Sequence, residues 1–143
     1  MDIRKIDDTI SVSPQISVED VAEAARLGFK TLVANRPDHE EPGQPAMADI
    51  AAAAKEHGLE WVYMPVASGN ITDADVDAFA PMIRDAEKPV LAFCRSGTRC
   101  TVLWALSSAR SGQSREIVDK ARNAGYDIAG LAPRMAQQAQ KSG

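Results

Sequence analysis

Cys94 and Arg99 bracket the segment Cys94-Arg95-Ser96-Gly97-Thr98-Arg99, which joins an apolar run from Pro89 to Phe93 to a helical run starting at Cys100. A strand that turns directly into a helix aims several backbone N–H groups at one point, at the positive end of the helix dipole. A thiol placed there ionises more readily than a free one, and an anion can be held above it. Arg95 and Arg99 add fixed positive charge, and Gly97 allows a backbone conformation that a side chain would forbid. Ser96, Gly97 and Thr98 contribute mainly N–H groups. The chemistry that fits is nucleophilic attack by a Cys94 thiolate on an anionic substrate. A plainer reading stands beside each residue: Cys94 as a buried structural thiol, Arg99 as a salt bridge supporting the loop, Arg95 as a solvated side chain. Cys100 either resolves an adduct on Cys94, pairs with it in a disulfide, or is a small residue at a helix N-terminus.

The surrounding pattern predicts alternating strands and helices. A hairpin (Ile3 to Ile6, Thr9 to Val12, turning at Asp7-Asp8) precedes a helix capped by Ser17 and running to Leu27. Strands follow at Phe29 to Ala34, Leu59 to Val66 and Val90 to Phe93. Helices are expected at Ala46 to His57, from the Thr72 cap to about Asp85 with a kink or split at Pro81, and at Cys100 to Arg110. Two more run from a Ser114 cap to Ala124 and from Pro133 to about Lys141, and the last few residues are expected to fray. This alternation implies an α/β fold, a largely parallel sheet covered on both faces, with its ligand site beyond the carboxyl ends of the strands. Three loops meet that condition: Asn35 to Glu41, Val66 to Ile71 and Cys94 to Arg99. In the first, Arg36 either supports the pocket or binds a substrate anion, Asp38 reads as a turn-shaping residue, and His39 reads as a solvated loop residue or an acid–base group.

The 143 residues fit a single domain, 1–143, with an ordered core over about 3–135. A net charge of -4 without a basic stripe argues against nucleic-acid binding, and no apolar run is long enough to span a membrane. The N-terminal residues are no signal peptide, so a cytoplasmic location is expected. His39 and His57 stand apart from any cysteine cluster, so neither a metal nor a cofactor is implied. Trp61, Tyr63 and Trp104 read as core residues, and the Ala51 to Ala54 run as a close helix–sheet contact.

Longer stretches carry a resemblance: Ile10-Ser-Val-Ser-Pro-Gln15, Gly28-Phe-Lys30, Asn35-Arg-Pro-Asp-His-Glu40, Gly58-Leu-Glu-Trp-Val-Tyr-Met-Pro-Val66, Pro89 through Arg99, Leu103-Trp-Ala-Leu106 and Ala124-Gly-Tyr-Asp127. Together they resemble the phosphatase-like domain of the beta-lactamase-hydrolase-like proteins. The resemblance implies a dual-specificity-phosphatase-like fold, a mostly parallel sheet of four or five strands flanked by helices. It also implies a link to sulfide metabolism, through fusion or partnership with a persulfide dioxygenase of metallo-beta-lactamase fold.

Two reactions suit the loop. Cysteine phosphatases carry C-x-x-G-x-x-R, whereas rhodaneses commonly carry C-R-x-G-x-R/T. The segment from Cys94 to Arg99 matches the second pattern and misses the first by one residue, because Cys100 stands where the phosphatase arginine belongs. A shorter loop suggests a smaller anion ring. Phe93 replaces the histidine that phosphatases place before the cysteine, and Ala67 to Asn70 holds no carboxylate to serve as general acid. The sequence therefore reads as a rhodanese-like sulfurtransferase. Cys94 would take sulfane sulfur from thiosulfate or a glutathione persulfide and pass it to a thiol acceptor, with Arg99, Arg95, Ser96, Gly97, Thr98 and Arg36 holding the anion. The alternatives are a phosphatase working through a Cys94 phosphocysteine, with Asp38 or Asp73 as acid, and a non-catalytic anion-binding or docking module.

Overall fold

The computed structural model describes residues 1–141. Five strands form one sheet: β1 Arg4–Lys5, β2 Ile10–Ser13, β3 Thr31–Ala34, β4 Glu60–Tyr63 and β5 Val90–Phe93. Their order is β1-β2-β5-β3-β4; β1 is antiparallel to β2, and every other pairing is parallel. The α/β expectation of a mostly parallel, helix-flanked sheet holds.

The centre of the sheet explains the unbroken apolar run before Cys94. Strand β5 is hydrogen-bonded on both sides, and all four of its residues are buried. Alternate side chains serve opposite faces. Val90 and Ala92 join Val12 and Val33 in one core, while Leu91 and Phe93 join Leu32 and Ala34 in the other. Helices α1 (Val18–Arg26) and α2 (Met47–Glu56) close the second core, with Val21, Ala24, Met47 and Ile50 buried there. The first is closed by α3 (Asp73–Asp85), α4 (Thr98–Ser108), α5 (Ser114–Asn123) and α6 (Ala132–Ala139). Each fully buried Leu or Phe stabilises the fold by roughly 1.5–3 kcal/mol, so the strand leading into the loop is firmly fixed.

Helix α4 is buried nearly all round, from Arg99 and Cys100 through Leu106 and Ser107. It is the central helix, and its N-terminus faces the end of β5. It begins at Thr98 instead of Cys100, so Arg99 and Cys100 lie on its first turn. Several other boundaries differ from the sequence reading. Helix α3 runs unbroken through Pro81, because Val76 and Phe79 before it and Met82 and Ile83 after it pack on the same core. The N-cap of α5 is Gln113, not Ser114, and makes no side-chain cap. Strand β4 ends at Tyr63, opposite Ala34, where β3 also ends. Tyr63 is exposed at this sheet edge, whereas Trp61 packs on the core and Trp104 lies within it. The expected fraying falls in part on residues 142 and 143, outside the described residues.

Candidate active site

Cys94 is the first residue past β5, and two hydrogen bonds tie its loop to the neighbouring strand. The Cys94 N–H donates to the Ser13 carbonyl at 3.3 Å, and the Gln15 N–H donates to the Arg95 carbonyl at 3.2 Å. Gly97 then caps α4 with φ 91°, the left-handed region that favours glycine. Its N–H donates to the Cys94 Sγ at 3.1 Å.

These contacts set the ionisation of Cys94. Its thiol is lowered from 9.0 to about 5, first by a hydrogen bond from the Cys100 side chain. Burial opposes the shift, and the N–H groups of Cys100, Ser96 and Gly97 reinforce it. Cys100 moves the opposite way, pushed well above its usual range by burial and then by the neighbouring sulfur. At neutral pH the pair therefore holds one thiolate and one thiol. Cys100→Ala, which lacks the donor, should raise the Cys94 titration midpoint, read by thiolate ultraviolet absorbance. Cys100→Ser keeps an O–H donor and should stay near the parent value. An unchanged midpoint in Cys100→Ala would remove Cys100 from this role.

Arg99 reaches from the first turn of α4 into a built ion cluster. Its Nη1 donates to Glu40 Oε2 at 2.8 Å and to the Val66 carbonyl at 3.0 Å, and its Nη2 donates to Glu40 Oε1 at 2.8 Å. Such a bidentate pair fixes both position and plane of the guanidinium. Arg36 lies behind it, 1% exposed, donating from Nε to Glu40 Oε1 at 2.7 Å and from Nη1 to Gln15 Oε1 at 3.0 Å. Its Nη2 donates to Glu41. Glu40 consequently sits at about 2, held down first by Arg99 and also by Arg36. Arg95 is exposed, with its Nε 3.4 Å from Glu41 Oε1. The three loops expected to converge do so around this cluster.

A cavity of about 470 Å³ opens on the loop. Arg95, Ser96, Thr98 and Arg99 form one wall, Ser68, Gly69 and Ile71 another, and Leu131 and Arg134 a third from the C-terminal helices. Cys94 lies beneath this surface, fully buried, while Arg95, Ser96 and Thr98 are exposed. The other acidic candidates have structural partners. Asp38 Oδ1 accepts the Met47 N–H at 2.8 Å and so anchors the start of α2. Asp73 accepts from Gln138 at 3.1 Å and from Arg134 at 3.4 Å. His39 is exposed, with φ 65°. Among the described residues no cluster of three His, Cys, Asp or Glu side chains is arranged to hold a metal ion.

Sequence reasoning missed three contributors: Glu40, Tyr126 and Arg134. Glu40 stood inside a quoted motif, four residues after Arg36, a spacing that invites an ion pair. Tyr126 donates from its hydroxyl to the Ser96 carbonyl at 2.9 Å, and Arg134 lines the cavity from α6. Nothing local in the chain links either of them to the loop.

A parallel sheet whose central strand ends in a low-pKa cysteine at the N-terminus of a buried helix defines the cysteine-phosphatase class of fold. PTPMT1 shares that fold with a TM-score of 0.76 at 10% identity, covering 98% of this chain and 95% of its own. More specifically, the chain belongs to the beta-lactamase hydrolase-like protein, phosphatase-like domain family, whose pattern matches residues 2–111. A beta-lactamase hydrolase-like protein of Agrobacterium fabrum is 35% identical over 126 residues, 87% of this chain and 29% of that protein. The chain thus spans about a third of the curated relatives it matches. NMA1982 of Neisseria meningitidis Z2491, which bears the description "putative phosphatase", is 38% identical with a TM-score of 0.85, over 96% of this chain and 99% of that one.

These likenesses overturn the sulfurtransferase reading of Cys94 and favour the phosphatase alternative. The error lay in taking loop length as a measure of the anion site. Arg99 comes one residue early in the sequence, yet Glu40 and Val66 hold its guanidinium at the wall of a cavity in the size range of organic-ligand sites. The missing histidine before the cysteine was also misleading, because Cys100 and the loop N–H groups lower the thiol instead.

Proposed function

We propose that the protein is a cysteine-dependent phosphatase acting on phosphate monoesters. The observation that carries this reading is a Cys94 thiolate under a ring of N–H donors, beside an Arg99 fixed at the cavity wall. The thiolate attacks phosphorus, an S–P bond forms, and the ester P–O bond breaks to release the leaving group. Water then attacks the phosphocysteine, the S–P bond breaks, and phosphate leaves with the thiolate restored. Arg99 and the N–H groups of Ser96 to Thr98 stabilise charge on the phosphoryl oxygens in both steps. Arg95 guides the anion from the rim. Arg36, its N–H groups directed at Glu40, Glu41 and Gln15, acts by holding Glu40 and does not contact substrate.

The leaving group shapes the substrate class. Glu40 is ionised and paired, Asp38 anchors α2, and Asp73 is bound to Arg134 and Gln138. None of these carboxylates is poised to protonate a departing oxygen, a contribution worth about 10²–10⁴-fold where it exists. Aryl phosphates, whose leaving groups depart as stable anions, should therefore exceed simple alkyl phosphates in kcat/KM by about 10²-fold or more. A series of substituted phenyl phosphates should show a steep fall in rate as the leaving phenol becomes more basic; a flat series would point to a general acid.

The test of the reading is p-nitrophenyl phosphate turnover with an acid quench and mass spectrometry of the Cys94 peptide. A phosphocysteine formed before steady-state release supports the reading. Phosphate binding without turnover would return the anion-binding or docking module. We further place the protein in the cytoplasm, in keeping with two unpaired thiols. A dioxygenase partner of metallo-beta-lactamase fold is also proposed, since the curated relatives extend well beyond the matched segment.

A further inference from the structure

We infer that Tyr126 is a positioning residue, whose hydroxyl grips the Ser96 carbonyl and thereby aims the Gly97 N–H at the Cys94 sulfur. The two contacts belong to one peptide group. The Ser96 oxygen accepts from Tyr126 Oη at 2.9 Å, and the Gly97 nitrogen donates to Cys94 Sγ at 3.1 Å. In a trans peptide the C=O and N–H point in opposite directions, so fixing one fixes the other. Glycine makes this latch necessary. Gly97 adopts φ 91° here, but it accepts negative φ as readily, so the 96–97 peptide is free to rotate unless something outside the loop restrains it. The restraint is close-fitting: a Cβ on Gly97 would lie 2.1 Å from Tyr126 Oη, so the hydroxyl fills the space a side chain would need.

The tyrosine is itself held. It follows the end of α5, where its N–H donates to the Ala121 carbonyl at 2.9 Å. The Arg4 guanidinium from β1 lies 5.5 Å from its ring centroid and donates to the Ala124 carbonyl at 3.4 Å. Burial raises the Tyr126 pKa, which keeps the hydroxyl protonated as a donor throughout the range in which Cys94 titrates. The segment Ala124 to Asp127 thus has a role in the loop, although residue 126 is distant from Ser96 in the chain.

Tyr126→Phe keeps the ring and removes only the grip. The expected result is a Cys94 titration midpoint raised by about half a unit or more, with a melting temperature close to the parent. The midpoint is read by thiolate absorbance against Cys94→Ser. The turnover arm rests on the phosphatase reading: kcat/KM for p-nitrophenyl phosphate should fall about tenfold. A midpoint equal to the parent value overturns the inference, and so does early melting with an unshifted midpoint, which would assign the hydroxyl to stability alone. If the parent protein hydrolyses no phosphate ester yet the midpoint still rises, the phosphatase reading fails and the positioning role stands.

Discussion

Cys94→Ser should lower kcat for an aryl phosphate by at least about 10⁴-fold while inorganic phosphate continues to bind. The asymmetry follows from the two functions that meet at the loop. Binding depends on the N–H groups of Ser96 to Thr98 and on Arg99, all of which remain. Attack depends on an ionised nucleophile. The donors around position 94 lower the cysteine to about 5, but a serine hydroxyl starts far above any pH at which they could ionise it. The sulfur's hydrogen-bond partners are the N–H groups of Ser96, Gly97 and Cys100 and the Cys100 side chain, none of which is a base able to take the proton. Calorimetric titration with phosphate, beside p-nitrophenyl phosphate kinetics, separates the two functions. Turnover within tenfold of the parent would locate the nucleophile elsewhere, and equal loss of binding and turnover would mean that the thiolate organises the loop.

The same argument fixes the acid side of the pH profile. The thiolate is the reactive form, so kcat/KM should be lost as pH falls through about 5. An aryl phosphate also takes up a proton in the acid range. Cys100→Ala distinguishes the two, since it moves the enzyme's limb upward and leaves the substrate's ionisation alone.

How far the chain disclosed this arrangement depended on how local each feature is. Ser17 and Thr72 form capping boxes with Asp20 and Asp75, three residues on, and both were legible because cap and partner share one turn. Val90 to Phe93 was legible because a strand buried on both faces leaves an unbroken apolar run. The convergence of three loops followed from parallel topology alone. The partners of the loop were not legible. Glu40 and Arg99 are 59 positions apart, and Ser96 and Tyr126 are 30 apart, so only the folded backbone brings them together. The reaction was misread for a related reason. Residue counting treats the loop as an isolated ring, whereas the direction of Arg99 is set by a carboxylate from another loop.

That carboxylate sits in an uneven balance of charge. Arg36, Arg95 and Arg99 face Glu40 and Glu41, three guanidiniums against two carboxylates, so the cluster keeps an excess positive charge for the substrate anion. Two of the arginines, Arg36 and Arg99, are buried, and Glu40 is the carboxylate that they share. Without Glu40, Arg36 and Arg99 would face each other with no carboxylate between them, and Arg99 would lose the plane that presents it to the cavity.

Glu40→Ala should therefore reduce stability and catalysis together. Glu40 is itself partly open to solvent, which screens the pair, so removing it costs about 1–2 kcal/mol, and misdirecting the arginine should cost about 10²–10³-fold in kcat/KM. Glu40→Gln keeps the shape and one acceptor oxygen, but turns an amide N–H₂ toward a guanidinium, so it should recover only part of either loss. Stability carries a pH signature with a definite sign. Glu40 is depressed from 4.5 to about 2 in the folded protein, so its contribution is complete above 4.5 and is lost as pH falls toward about 2. The gap in urea midpoint between parent and Glu40→Ala should be widest near neutral pH and narrow steadily across that interval. A gap that stayed constant with pH would show that Glu40 acts by packing, and an intact kcat/KM would show that Arg99 finds its place without it.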